Sequence, residues 1–115
     1  MDKQDIIMSF QHNSLADGRW AKMTLSEQMA NIGSEISRAL NWRKKEHEEY
    51  CNKAVFRALE LISLTIDSVS VKSHLKELTR LREAINDYFF GNNLFGSSEI
   101  LWQKYFDHFN YAARK

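Results

Sequence analysis

The chain has 115 residues, 43% of them apolar and 27% charged, with a formal net charge of +1 and no proline. Such a composition argues against disorder, and the charge balance argues against the basic footprint that non-specific nucleic-acid binding leaves. No apolar run approaches membrane-spanning length, and Cys51 is the single cysteine, so no internal disulfide can form. A reducing compartment fits a lone cysteine, and Met1-Asp2-Lys3-Gln4-Asp5 is not a secretory start, so a cytoplasmic location is expected.

Residues 1–19 read as a leader. Ile6, Ile7, Met8 and Phe10 have the makings of a short amphipathic turn, while His12-Asn13-Ser14 and Asp17-Gly18 read as loop. The expectation is a frayed segment, with docking on a partner or on the bundle as the alternative. Residues 20–115 then form the one folded domain. Trp20 and Met23 precede Thr24, and Met23 holds the position from which a hydrophobic staple reaches the first turn.

Thr24 and Glu27 have the spacing of a capping box, which opens a helix over about 24–47. Leu25, Met29, Ile32, Ile36 and Leu40 recur at steps of three and four and form its apolar seam. Beside that seam run Ser26, Ala30, Gly33 and Ser37, small residues that let another helix come close. On the other side lie Gln28, Asn31, Glu35, Arg38 and Trp42. Neighbours are therefore expected on most sides of this helix.

A second helix is expected over 49–67, with Cys51, Val55, Ala58, Ile62 and Ile66 inward and Phe56 and Leu64 on its polar side. A third over 71–90 points Leu75, Leu78, Leu81, Ile85 and Phe89 inward, and Lys76, Arg80, Glu83 and Asp87 form an outer ion-pair stripe. Gly91 is expected to stop it as a C′ residue. Ser97 or Ser98 caps a fourth helix over 98–114, with Leu101, Tyr105, Phe109 and Ala112 inward and Trp102 and Phe106 widening that face. Four amphipathic helices joined by short links imply an all-α, antiparallel four-helix bundle.

Chemistry is sparse along this chain. His12, His47, His74 and His108 make no HxxxH or ExxH pair, so no metal site is expected. Glycines at 91 and 96 follow a helix and not a strand, which is no phosphate-binding fingerprint, and Cys51 projects inward as an inert thiol. No cofactor and no small-molecule substrate is implied. One polar set stands out: Asn31, Glu35 and Arg38, with Arg57 and Glu60 on the second helix and Glu77, Arg80 and Arg82 on the third. Facing one another, these rows make a register-fixing network or an acid/base or phosphate-contacting cluster. Candidate interface residues are Trp42, Phe56, Leu64, Trp102 and Phe106.

Asn31-Ile32-Gly33-Ser34-Glu35, Arg57-Ala58-Leu59-Glu60-Leu61, the run from Leu75 to Glu83 and Tyr88-Phe89-Phe90-Gly91 are similar to stretches of small bacterial and archaeal hypothetical proteins. That resemblance covers roughly residues 19–115 and implies no activity. In architecture the chain also resembles HEPN domains, the four-helix RNA-cutting or RNA-associated modules of defence systems. It is similar too to the helical accessory proteins of diversity-generating retroelements, which would imply a pentameric nucleic-acid binder. The HEPN signature places four to six residues between Arg and His, whereas Arg43 and His47 are parted by Lys44-Lys45-Glu46. The expected function is a non-enzymatic, self-associating interaction or assembly module that works as an accessory protein with itself or another protein as partner. The alternative is an RNA-associated protein or degenerate nuclease using Arg38, Arg43, His47, Arg80 and Arg82.

Overall fold

The computed structural model describes residues 18–114, so the expectations placed on residues 1–17 lie outside the described part. A 3-10 turn at Trp20–Lys22 leads into α1 (Leu25–Lys44), α2 (Glu48–Ser68), α3 (Lys72–Phe90) and α4 (Glu99–Ala113). The fold is the expected all-α bundle. Its helix bounds follow the sequence reading, the largest gap being at the first helix, read to 47 and ending at Lys44.

Local chemistry accounts for the helix ends. The capping box forms at α1, where Thr24 Oγ1 accepts from the Glu27 N–H at 3.1 Å and the Thr24 N–H donates to Glu27 Oε1 at 2.9 Å. Those bonds hold the Glu27 carboxyl below the usual carboxylate range. Helix α1 closes in a Schellman arrangement, the Glu46 N–H bonding to Arg43 O and the His47 N–H to Trp42 O, both at 3.0 Å. Glu46 occupies the left-handed position there, with φ of 62°. At α4, Ser98 Oγ accepts from the Leu101 N–H and Glu99 sits in the first turn, as expected. Gly91 does not act as a left-handed C′ residue. Its φ is −115°, and the left-handed positions fall later in the loop, at Asn93 and Gly96.

Helix α1 packs against both α2 and α4, α2 carries α3, and the Trp20–Lys22 turn lies on α2. Gln28 bonds to Ser68 at one end of the α1–α2 pair and Trp42 meets Tyr50 at the other, so the two run antiparallel. An ion pair of Lys44 with Glu99 sets the start of α4 beside the end of α1. Phe90 stacks on Phe56, which brings the end of α3 to the first half of α2. Met29, Ile32, Ile36, Val55, Ile62, Leu78 and Ile85 are fully buried where the helices meet.

Trp20 is also part of this core. Its indole N–H donates to Thr65 Oγ1 at 2.9 Å, Thr65 Oγ1 donates to Leu61 O at 2.8 Å, and Gln28 Nε2 donates to Trp20 O at 2.9 Å. Gln28, read as part of a flanking polar row, is thus a buried clamp between the 3-10 turn and α2. A buried amide is tolerated here because its donor group is satisfied.

Two helices turn differently from the expected wheels. In α4, Trp102 and Phe106 are the buried residues, while Leu101 is 53% exposed and Ala112 is exposed as well. Tyr105 and Phe109 lie half-buried at the edge of the core. The contact on α1 decides this rotation. Gly33 is buried directly beneath the Phe106 ring, so the face centred on Phe106 must turn inward. In α3, Leu75 is 40% exposed, because α3 rests on α2 and no close α4 backbone covers its first turns. Ile66 is half-buried, and Leu61 and Thr65 take the inward places on α2.

Candidate functional site

The polar rows do not converge on one cluster. Glu35 accepts from Arg57 Nε at 2.8 Å and pairs with Arg38 Nη1 at 3.2 Å, tying α1 to α2. Arg38 is largely exposed, so its share of that pair is worth little, whereas Arg57 and Glu35 are mostly covered. Asn31 bonds to Glu27 O within its own helix. Burial pushes the Glu60 carboxyl up. Glu77 turns the other way and accepts from the Tyr105 hydroxyl at 3.2 Å, and Arg80 lines a groove between α3 and α4. Arg82 is half-buried on α3 with no ion-pair partner among the described residues. This set holds helices in register at α1–α2 and is dispersed elsewhere.

An aromatic group sits at the α1–α2 turn. Trp42 lies 4.9 Å from Tyr50 and meets His47 edge-on at 5.4 Å. Lys45 Nζ stands 5.3 Å from the Trp42 ring and Lys53 Nζ stands 5.8 Å from the Tyr50 ring. Close by, the Arg43 guanidinium lies 4.7 Å over the Tyr88 ring. Trp42 is half-buried by these neighbours, and Tyr50 is half-exposed. The turn therefore carries tilted and edge-on rings flanked by cations, interleaved with Glu46, Glu48 and Glu49.

A second feature, at the same end of the bundle, is an apolar tip where α3 ends and α4 begins. Both Asp87 carboxylate oxygens accept backbone N–H groups from the loop, Leu94 N at 2.7 Å and Phe95 N at 3.0 Å. Asp87 O also accepts from Gly91 N and Asn93 N, each at 3.1 Å. Asn93 clasps the other side, its side chain accepting from Ser97 N and donating to Ser97 O. The loop is thus bonded from both flanks, yet Leu94 is 85% exposed and Phe95 59%. Phe56 and Phe90 stack at 5.6 Å on the same end of the bundle, and both remain exposed. Ile100 and Leu101, in the first turn of α4, are exposed as well.

Of the interface candidates named from sequence, Phe56 belongs to this tip and Leu64 is half-buried against the core. Trp102 and Phe106 are core residues, 5% and 3% exposed, and so present no surface. Sequence reasoning missed Phe90, Leu94, Phe95 and Asp87. The signal was there in Asn93-Leu94-Phe95-Gly96, two large apolar residues inside a turn, with an acid one helical turn before Gly91. Asp87, expected in an outer charge stripe, turns instead to the loop.

Between α3 and α4 the backbones stay apart, leaving a cavity of about 520 Å³. Leu81, Ala84, Leu101 and Trp102 give it apolar walls, and Lys76 and Arg80 stand along it. Neither cation has an ion-pair partner among the described residues. Tyr105, bonded to Glu77 across the gap, is held well above the usual phenol range by burial first and by the neighbouring carboxylate second.

Burial raises the Cys51 thiol, and the residue is 5% exposed, which suits an inert core position. Among the described residues no group of His, Cys, Asp and Glu is placed to hold a metal ion, and no helix is long and apolar enough to cross a membrane. Comparison with protein-family models, with curated proteins and with solved structures gives no match.

Proposed function

We propose that this chain is a non-enzymatic helical interaction and assembly module that self-associates through the apolar tip. The observation that carries the reading is the pair of hydrogen bonds that the Asp87 carboxylate accepts from Leu94 N and Phe95 N. A loop that merely connected two helices would have no need to pin the backbone that carries its two most exposed apolar residues. Fixing them lowers the ordering entropy lost on association, which is how preorganised surfaces gain affinity. Large exposed apolar patches on a small domain mark places where another protein sits. A second copy of the chain, acting as an accessory protein in a larger assembly, fits a surface whose apolar side chains can pair with their own kind about a two-fold axis.

Light-scattering mass after size exclusion tests this directly. The wild-type chain is expected to run as a defined oligomer free of nucleic acid, and Leu94→Glu with Phe95→Glu as a monomer with unchanged helical content. A wild-type monomer at high concentration rejects self-association.

The second reading is an RNA-associated protein, of the kind that the HEPN and retroelement resemblances imply. The observation in its favour is the Trp42–Tyr50–His47 group with Lys45, Lys53 and Arg43 beside it, since bases stack on aromatic platforms near cations. Three acids in the same turn weigh against it. Salt-dependent binding of single-stranded RNA that falls on Trp42→Ala and Tyr50→Ala would favour it over the assembly reading.

A further inference from the structure

The cavity between α3 and α4 sorts its lining by chemistry along its length. On α3 the charged residues Lys76, Glu77 and Arg80 come first, and Leu81 and Ala84 follow. Across from them, Tyr105 of α4 marks the charged end by its bond to Glu77, and Leu101 and Trp102 lie a turn nearer the start of that helix.

Charge restricts what fits there. Lys76 and Arg80 stand one helical turn apart, on one side of α3, and neither has an ion-pair partner among the described residues. Glu77 is the opposing charge, and its carboxylate accepts from the Tyr105 hydroxyl at 3.2 Å. Two cations against one carboxylate leave a single positive charge in excess. An occupant with one negative charge meets that balance. A cation is repelled by it, and a second negative charge finds no cation left to neutralise it.

Size and polarity restrict it further. The cavity of about 520 Å³ lies within the range of roughly 300–1,000 Å³ typical of small-molecule sites, which pair apolar walls with a few orienting polar groups. Leu101 is 53% exposed beside it, so a bound apolar body gains by covering that side chain. Trp102, which also lines the cavity, has a buried indole N–H with no acceptor among the described residues, an uncommon state for a buried donor.

We infer that this groove is a binding site for a small organic monocarboxylate with an apolar body. The carboxylate sits between Lys76 and Arg80, and the body lies on Leu81, Ala84, Leu101 and Trp102. An aliphatic chain and a fused aromatic ring share that chemistry. The site uses none of the groups that hold the loop at Asp87, so its failure would leave the assembly reading untouched.

The test titrates the full, isotope-enriched chain with decanoate below its micelle concentration, and with 2-naphthoate in parallel. Saturable shifts are expected at the Leu81, Ala84 and Leu101 amides and at the Trp102 indole N–H, with one molecule bound per chain by calorimetry. The tighter of the two probes tells whether a chain or a ring is the better body. Decanol and decyltrimethylammonium, which lack the negative charge, should bind about tenfold more weakly than decanoate, and decanedioate should be weaker as well. Lys76→Gln with Arg80→Gln should weaken decanoate by about tenfold and leave decanol unchanged, with the helical content intact by circular dichroism. Glu77→Gln, which removes the opposing charge and keeps an acceptor for Tyr105, should tighten decanoate. Absence of saturable binding by both carboxylates overturns the proposal. So do shifts confined to other parts of the bundle, or a Lys76→Gln, Arg80→Gln protein that binds decanoate as the wild type does.

Discussion

Gly33 of α1 and the Phe106 ring of α4 touch with no space left between them: a Cβ on Gly33 would stand 2.7 Å from Phe106 Cγ. Alanine is the better helix former by about 1 kcal/mol, so on helix propensity alone Gly33→Ala would stabilise α1. The packing reverses that sign. Phe106 is 3% exposed and cannot step aside without disturbing the α1–α4 contact. Gly33→Ala is expected to destabilise by roughly 1–2 kcal/mol, and Phe106→Ala, which removes the Cγ and Cδ1 that the new methyl would meet, to lessen the effect of the alanine in the double variant. Urea unfolding of the four proteins gives the coupling, and an alanine variant more stable than wild type would contradict this packing.

The Trp20–Thr65 bond leads to a second expectation. Thr65→Val keeps the shape and removes the acceptor, leaving the indole N–H buried and unpaired. A loss of about 1–3 kcal/mol is expected. Trp20→Phe on top of Thr65→Val should add less than Trp20→Phe does alone, because the orphaned donor is then gone. Additive losses in a double-mutant cycle would show that the two side chains do not act together.

Alkaline pH should find Tyr105. Its hydroxyl ionises above the ordinary phenol value of about 10 in the folded chain, while the unfolded chain keeps that ordinary value. The stability linked to this group is therefore complete below about pH 10 and is lost as pH rises beyond it toward the folded value. Tyr105→Phe should flatten the fall in stability above about pH 10, measured as urea midpoint against pH. An unchanged slope in the variant would mean that Tyr105 ionises freely.

Asp87→Asn keeps the size of the side chain and exchanges a carboxylate for an amide with one acceptor oxygen. Charge-assisted bonds to Leu94 N and Phe95 N weaken together. Hydrogen exchange at those two amides is expected to accelerate at least tenfold, with the α1 and α2 amides unaffected, and self-association to weaken alongside. Exchange that stays slow at both amides would place the order of the loop in Asn93 instead.

The helices were legible because their signals are local. Thr24 with Glu27, the three-and-four spacing from Leu25 to Leu40 and Ser98 before Glu99 each specify a boundary or a face without reference to the rest of the chain. What escaped the sequence was decided between helices. The turn of α4 about its axis depends on where Gly33 lies, and nothing within residues 99–113 states that. Gln28 falls by spacing in a row beside the apolar seam and Thr65 carries no sequence signal, because hydrogen bonds to Trp20, 8 and 45 residues away, leave no periodic trace. Asp87 misled for the same reason: its spacing matched a charged stripe, but its partners are backbone groups in the following loop. The tip went unread because exposure of Leu94 and Phe95 is a property of the folded loop and not of the residues.

Helix α4 lies against α1, the earliest of the described helices to be made, and that order has a consequence during synthesis. Phe106 follows Gly33 by 73 positions, so at ribosomal rates of about 5–20 residues per second the small-residue seam of α1 waits roughly 4–15 s for its cover. An α1–α2 hairpin can form in that interval, but it carries a bare strip shaped for a phenyl ring. The newborn chain is therefore most open to misdirected contacts, and to chaperones, in the seconds before α4 emerges to cover that strip.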